Sequence, residues 1–426
     1  MTPSTNAVVR SSYRPDAHVP PEPWRGEQDG PTITDVRCVI TAPEGVNLVV
    51  VIVETSEPGL IGYGCATFTQ RAFVVRTAIE EHVRPLVLGR AVADVADIHR
   101  AVFVESYWRG DVTLNSALSG LDEALWDIKG KVANLPVWQL LGGRVRESVP
   151  CYVHASGTTP EELLDQARRQ VENGYTHVRC QVNVPGTLSY GAAPESREAR
   201  WDPDAYVSYV PDVLERMREE LGDGVRVLHD VHERLSPGLA LEFIRRIDHL
   251  GLFFIEDPLA PEDLGWLPRL RTGTSTRIAI GELFTRMDEY TRIIAARDVD
   301  IVRCHVSALG GITPAWQLAQ IADAFGVQLA LHGPRDVSPV GHAANLAIEF
   351  AAPALAVREH HEFADAAHEV FPGIPLASSG GIRPSDAPGL GIGFDERAAS
   401  AHPPVEPTAN WHYMRARRVD GTVQRP

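Results

Sequence analysis

The 426-residue sequence predicts an α/β fold: a modified (β/α)8 TIM-type barrel preceded by an N-terminal α+β capping domain. Three observations predict it. From residue 149 onward, eight short apolar runs alternate with helical stretches, the rhythm of a parallel barrel rather than an open sheet. Before them, residues 32–68 hold three apolar, β-branched runs without an intervening helix, and helical patterns follow. Finally, Asp230, Glu256 and Glu282 recur at intervals of 26 residues, each closing an apolar run (VRVLHD, LFFIE, RIAIGE). That interval is the length of one strand-loop-helix-loop unit. It places three carboxylates at one rim of the barrel, where the active site of such folds sits.

In order along the chain, residues 1–31 are polar and Pro-rich and are expected to form a flexible arm. They contain no apolar segment of the kind a secretory signal needs. The capping domain is assigned to 32–145. TITDVRCVI alternates and NLVVVIVE is β-branched, with Pro43-Glu44-Gly45 as the turn between them, and LIGYGCATF makes a third strand. Helical patterns cover 71–87, 94–106 and 114–132; in the last, Ala117, Leu118, Leu121, Leu125 and Ile128 share one face. The barrel is assigned to 146–365, with strands VPCYVHA, HVRCQV, VRVLHDV, LFFIEDP, RIAIGEL, IVRCHV, QLALHG and LAVREH. Helices are expected at 160–173, 236–250, 313–326 and 338–351. The one long interruption, 183–203, has the length of a functional or disordered loop. Residues 366–426 lack a period, are rich in Gly and Pro, and are expected to return to the capping domain.

Composition narrows the function. A net charge of −16 disfavours nucleic acid and anionic membranes, so an anionic substrate would need a local metal or clustered Arg. No apolar run approaches the length of a membrane span. The five Cys, an odd count without CxxC spacing, read as free thiols in a reducing compartment, and a cytoplasmic location is expected. Lys129 and Lys131 are the only lysines beside 38 Arg, so no lysine can act as base or Schiff-base former in the barrel.

Three acids converging on one rim would repel each other without a cation between them, and hard oxygen ligands suit Mg²⁺. The alternative is three unrelated strand-end acids in salt bridges or caps. His232 lies two residues beyond Asp230, so strand alternation would point both into the barrel mouth, the imidazole as general acid or base or as a hydrogen-bonding neighbour of a carboxylate. Arg179 shares a face with Gln181. It could stabilise a phenolate on Tyr190 in the long loop; the alternative is a surface tyrosine and a barrel-lining salt bridge. His154, Arg303, His332 and Glu359 fall on the first, sixth, seventh and eighth strands and suit substrate binding. No Asp lies within IVRCHV to orient His332 as a base, since Asp300 precedes that strand, so His332 is read as a hydrogen-bonding residue.

These features resemble the enolase superfamily, and ALSGLDEALWDIKGKVANLPVWQLLGG in the capping domain is similar to its typical pattern. Within it, SYWRGD, HASG, VRCQVNVPG, SYGA, LHDVHERL, IEDPLAPED, GELF, LHGPRDVSPVGHA and HEVFP resemble the mannonate dehydratase subgroup, over about residues 32–400. The resemblance implies Mg²⁺ held by Asp230, Glu256 and Glu282, and removal of water from an aldonic acid, D-mannonate or D-gluconate, to give a 2-keto-3-deoxy acid. It implies Tyr190 and Arg179 as the base at C2 and His232 as the acid for the departing 3-hydroxyl. Asn47, His154, Arg303, His332, Asp336 and Glu359 would contact substrate. Expected partners are the aldonic acid and further copies of the chain in a homo-oligomer. Superfamily members with lysines on the second strand are disfavoured, because Arg179-Cys180-Gln181 stands there. The capping loop CATFTQRA, Pro334 and the terminal DGTVQRP depart from the subgroup, and low efficiency is expected from them. Alternatives are a silent sugar-acid-binding or regulatory homologue, and an acid-sugar epimerase.

Overall fold

The computed structural model describes residues 30–188, 200–406 and 417–423. The expected N-terminal arm falls outside them except at its last two residues. The chain begins with an antiparallel meander, β1 (Ile33–Thr41), β2 (Leu48–Thr55) and β3 (Ile61–Cys65). β2 does not alternate because both of its faces are buried: Val49, Val51 and Val53 pack with the capping helices, and Leu48, Val50 and Ile52 with the core that runs into the barrel.

The helix Val112–Ala133 lies directly on β3. Asp111 starts it by accepting from the amides of Thr113 (2.9 Å) and Leu114 (3.1 Å), and Asn134, at φ 53°, ends it. A Cβ on Gly64 would collide with the carbonyl oxygen of Gly120, so glycine allows the helix to seat against the sheet backbone. The apolar face expected on this helix, from Ala117 to Ile128, is fully buried.

The eight barrel strands are β4 (Val149–Ser156), β5 (His177–Gln181), β6 (Arg226–Asp230), β7 (Ile255–Glu256), β8 (Ile278–Ile280), β9 (Ile301–Cys304), β10 (Gln328–Leu331) and β11 (Arg358–Glu359). Neighbours pair in parallel from β4 to β10, and β11 pairs with β4. The ring closes through a bridge between Leu329 on β10 and Leu355 just before β11. Helices between strands start where a cap precedes proline, as at Thr159-Pro160, Asp202-Pro203 and Ser338-Pro339.

A period of two organises the barrel interior. Tyr152, Leu228, Phe254, Ala279, Ile301, Ala330 and Val357, five of them on strands and Phe254 and Val357 just before β7 and β11, form one buried apolar cluster. Two residues further toward the C-terminal rim stand His154, Asp230, Glu256, Arg303, His332 and Glu359. An apolar plug thus floors a polar mouth.

After β11 a hairpin (residues 377–382) adds to the start of β4, and the chain then crosses to β1, where Thr41 Oγ1 donates to the carbonyls of Ala399 (3.1 Å) and His402 (3.0 Å). Among the described residues no helix is long and apolar enough to cross a membrane.

Candidate active site at the barrel mouth

Asp230 and Glu256 are the last residues of β6 and β7, as the strand patterns predict. Glu282 is placed differently, two residues past the end of β8. Strict alternation would have put residue 281 at the mouth. Gly281, at φ 128°, turns the chain there and delivers Glu282 instead; a Cβ on it would lie 3.0 Å from the carbonyl oxygen of Arg303. His232 also departs from the expectation. β6 stops at Asp230, and His232 takes a left-handed conformation, φ 55°, with its amide held by Asp230 Oδ1 at 2.7 Å. A turn, not strand alternation, brings its Nε2 to 3.7 Å from Glu282 Oε1.

The acids are held by cations from neighbouring strands. Arg179 on β5 sets Nη1 3.0 Å from Glu256 Oε2, 3.3 Å from Asp230 Oδ2 and 3.8 Å from Glu359 Oε1. Arg303 on β9, fully buried, donates from Nε to Glu256 (2.6 Å) and from Nη2 to Glu359 (2.6 Å). His154 Nε2 lies 2.8 Å from Glu359, and His332 Nδ1 3.1 Å from Glu282. Glu359 therefore joins three strands rather than serving one contact.

Burial pushes Asp230 well above the ordinary carboxylate range, and Glu256 beside it adds to the rise. Asp257 is raised the same way, by burial and then by Glu282. Burial also opposes ionisation of Glu282, but His332 and His232 outweigh it and hold Glu282 low. Glu282 in turn lifts His332 to about 9 against the effect of burial, whereas burial drops His232 to about 3 and His154 to about 4.

Two residues here were missed in the sequence. Asp257 follows Glu256 immediately and would face away if β7 continued. The strand ends, Asp257 adopts φ 37°, and Glu256, Asp257 and Glu282 each offer an oxygen within 4.8 Å of the other two. The acid pair in IEDP was the available signal. His305 stacks on His332 with ring centroids 4.9 Å apart, a contact between strands that no local pattern announces.

The donor set fits a divalent cation. All its candidate ligand atoms are carboxylate oxygens, and Asp230 Oδ2 and Asp257 Oδ2 are buried without accepting a hydrogen bond. Asp336 lies near enough to His332 for their charges to interact. Asn47 is drawn elsewhere: its side chain donates to the carbonyl of Val405 (2.9 Å) and accepts from the amide of Val405 (2.9 Å). It ties the capping domain to the C-terminal segment and is not brought into the acid cluster. Tyr190 lies outside the described residues. Another tyrosine, Tyr152, has the guanidinium of Arg179 6.0 Å from its ring centroid, but burial pushes its phenol well above the ordinary range and makes it a poor base.

Residues 27–142 match the family of mandelate racemase / muconate lactonizing enzyme N-terminal domains, and residues 162–398 match the enolase C-terminal domain-like family. Fold and site thus define an enolase-type enzyme class, a capped barrel with acids on successive strand ends. A D-galactonate dehydratase family member from a Streptomyces species is 44% identical over 443 residues, covering 100% of both chains. Another, from Catenulispora acidiphila, is 45% identical, covering 95% of this chain and 96% of its own. A crystal structure of an enolase from Pantoea ananatis with bound D-gluconate and Mg is 41% identical, with a TM-score of 0.88, covering 93% of this chain and 100% of that one. The chain belongs to the enolase superfamily and, within it, to the D-galactonate dehydratase family.

Proposed function

We propose that the chain is a Mg²⁺-dependent hydro-lyase that removes water from an aldonic acid, D-mannonate or D-gluconate, to give a 2-keto-3-deoxy sugar acid. The observation that carries this reading is the buried acid cluster on adjacent strand ends, with carboxylate oxygens left without hydrogen-bond donors. Asp230, Glu256 and Glu282 would hold the ion in this reading, and Asp257, with an oxygen within 4.8 Å of Glu256 and Glu282, could join them. The chemistry the ion supplies when bound is neutralisation of charge at the substrate carboxylate as the C2 proton leaves.

The remaining work falls to the chain's own groups. Tyr190, its phenolate favoured by the Arg179 guanidinium, takes the proton from C2. His232, whose protonated ring burial disfavours but Glu282 at 3.7 Å favours, would deliver a proton to the 3-hydroxyl as the C3–O bond breaks, water departs and the resulting enol becomes the ketone. His154, His332 and Asp336 hydrogen-bond the sugar and set its orientation in this reading, while Arg303 and Glu359, fully buried and bonded to each other, hold His154 and Glu256 in place behind it. D-mannonate, D-gluconate and D-galactonate are stereoisomers that share the carboxylate, the C2 hydrogen and the C3 hydroxyl this chemistry uses. The family name of the Streptomyces relative and the gluconate in the Pantoea ananatis structure are in keeping with that group of compounds.

The test is a screen of the three acids with Mg²⁺, read by formation of the 2-keto acid. Product is expected from D-mannonate or D-gluconate at a kcat/KM below about 10⁴ M⁻¹s⁻¹, the lower end for well-adapted enzymes. Mg²⁺ binding with no product from any of them would replace this reading by the sugar-acid-binding one. Formation of the C2 epimer without dehydration would replace it by epimerisation.

A further inference from the structure

Behind the mouth, on the outer side of β11, lies a second buried polar cluster that the proposed chemistry does not use. Arg358 precedes Glu359, so alternation turns it away from the barrel interior and toward the helix Pro339–Ala351. There its Nη1 donates to Glu349 Oε2 at 2.6 Å, with the two side chains 1% and 0% exposed. Its Nη2 lies 2.8 Å from His342 Nδ1. The other nitrogen of that imidazole, Nε2, lies 3.2 Å from the carbonyl oxygen of Pro334.

These partners fix the imidazole's proton. A guanidinium only donates, so Nδ1 of His342 must accept, and the single proton sits on Nε2 and is donated to Pro334. Burial, and then Arg358, hold His342 well below its ordinary range, in keeping with a neutral ring. Phe363 closes the site with a T-shaped contact, ring centroids 4.9 Å from His342.

The accepting carbonyl belongs to the segment that carries His332 and Asp336. That segment is pinned at three successive residues. Asn345 Nδ2 donates to the carbonyl of His332 (2.9 Å), the amide of Gly333 donates to Glu359 Oε2 (3.0 Å), and His342 holds Pro334. The second pin comes from Glu359 at the mouth, whereas the first and third reach the segment from the helix behind it, through Asn345 and His342.

We propose that His342 is a positioning residue, which with Arg358 and Glu349 tethers the 333–337 segment and thereby fixes His332 and Asp336 against the substrate. Its kinetic consequence rests on the function proposed above; the tether itself does not. Misplacement of a substrate contact by about 1 Å can cost roughly 10²-fold in rate, so a loosened segment has a measurable effect.

Two substitutions separate the tether from packing. His342→Asn puts its amide near the place of Nδ1 and can still accept from Arg358, but it falls short of Pro334. His342→Gln puts a donor near the place of Nε2 and can keep the Pro334 bond. In the full-length protein with Mg²⁺, the Asn variant is expected to raise KM for D-gluconate or D-mannonate by about 10-fold with a smaller change in kcat. The Gln variant should recover most of that loss, and Mg²⁺ affinity should match wild type in both. Amide hydrogen exchange of residues 333–337 should quicken in the Asn variant and stay near wild type in the Gln variant. Equal KM and equal exchange in the two variants would overturn the proposal. If wild type turns over no aldonic acid, the function proposed above fails while the exchange comparison still decides the tether. Faster exchange in the Asn variant alone would support it, and unchanged exchange in both would refute it.

Discussion

The capping-domain helix and the barrel mouth both bury carboxylates, and they satisfy them in opposite ways. On the capping-domain helix Val112–Ala133, Asp122, Glu123 and Asp127 are each about 1% exposed or less. Asp122 accepts from the amide (2.9 Å) and hydroxyl (2.5 Å) of Thr313, capping a barrel helix from outside that helix. Glu123 accepts from the amide of Cys65 (2.7 Å) and the hydroxyl of Ser119 (3.1 Å). Asp127 holds the amide of Leu390 (2.8 Å) and the ammonium of Lys131 (2.6 Å). At the barrel mouth, by contrast, Asp230, Glu256, Asp257, Glu282 and Glu359 crowd one another between Arg179 and Arg303, and oxygens of Asp230 and Asp257 accept no hydrogen bond. Burial alone is therefore a weak sign of function. Acids supplied with backbone and hydroxyl donors staple elements together, whereas acids that face other acids, with lone pairs left over, are built for a cation.

Substitutions should divide along the same line. The largest effect is expected at the mouth. Glu256→Gln removes a charge that both arginines share and should cut aldonic-acid turnover by more than about 10²-fold. An unchanged far-UV circular dichroism spectrum would separate this from unfolding, and turnover near wild type would remove Glu256 from the site. Tyr190 and His232 sharpen the division within the mouth: Tyr190→Phe should stop exchange of the C2 hydrogen with solvent, while His232→Asn should stop dehydration and retain some exchange. Exchange at the wild-type rate in Tyr190→Phe would assign the base elsewhere.

A smaller effect is expected on the helix. Asp122→Ala leaves the Thr313 amide without its cap and should lower stability by about 2 kcal/mol in denaturant unfolding, with Mg²⁺ affinity unchanged. Weakened Mg²⁺ binding without loss of stability would break the distinction between the two regions.

The smallest is a change in pH dependence. Burial pushes Glu123 up to about 8 from an ordinary 4.5. Between those values the unfolded chain ionises this group while the native chain keeps its proton. Its contribution to stability is therefore full below about pH 4.5 and is lost as pH rises toward 8. Glu123→Gln should flatten the pH profile of Tm across that window by a few degrees. A profile identical to wild type would mean that the native carboxyl is ionised.

The architecture was legible because its signals are local and periodic. Each barrel strand announces itself as an apolar run, and a period of two carries the eye from Tyr152, Leu228 and Phe254 to His154, Asp230 and Glu256. What was not legible depends on where periods end. Gly281 shifts the phase of the chain before Glu282, and left-handed turns at His232 and Asp257 reorient those side chains. Asn47 could not be separated from the mouth in the sequence, because its partner Val405 lies 358 residues away. The tether from Glu349 through Arg358 and His342 to Pro334 joins a strand, a helix and a loop, and no one-dimensional pattern contains it.

The contrast between the two acid clusters, and with it the proposed chemistry, is tested most directly by calorimetric titration of Mg²⁺ into wild type, Asp230→Asn and Asp122→Asn. Wild type and Asp122→Asn should bind the ion alike, and Asp230→Asn should bind it at least about 10-fold more weakly, as expected when a charged ligand of a hard cation is lost. Equal binding by Asp230→Asn and wild type, or no binding by wild type, would contradict the account.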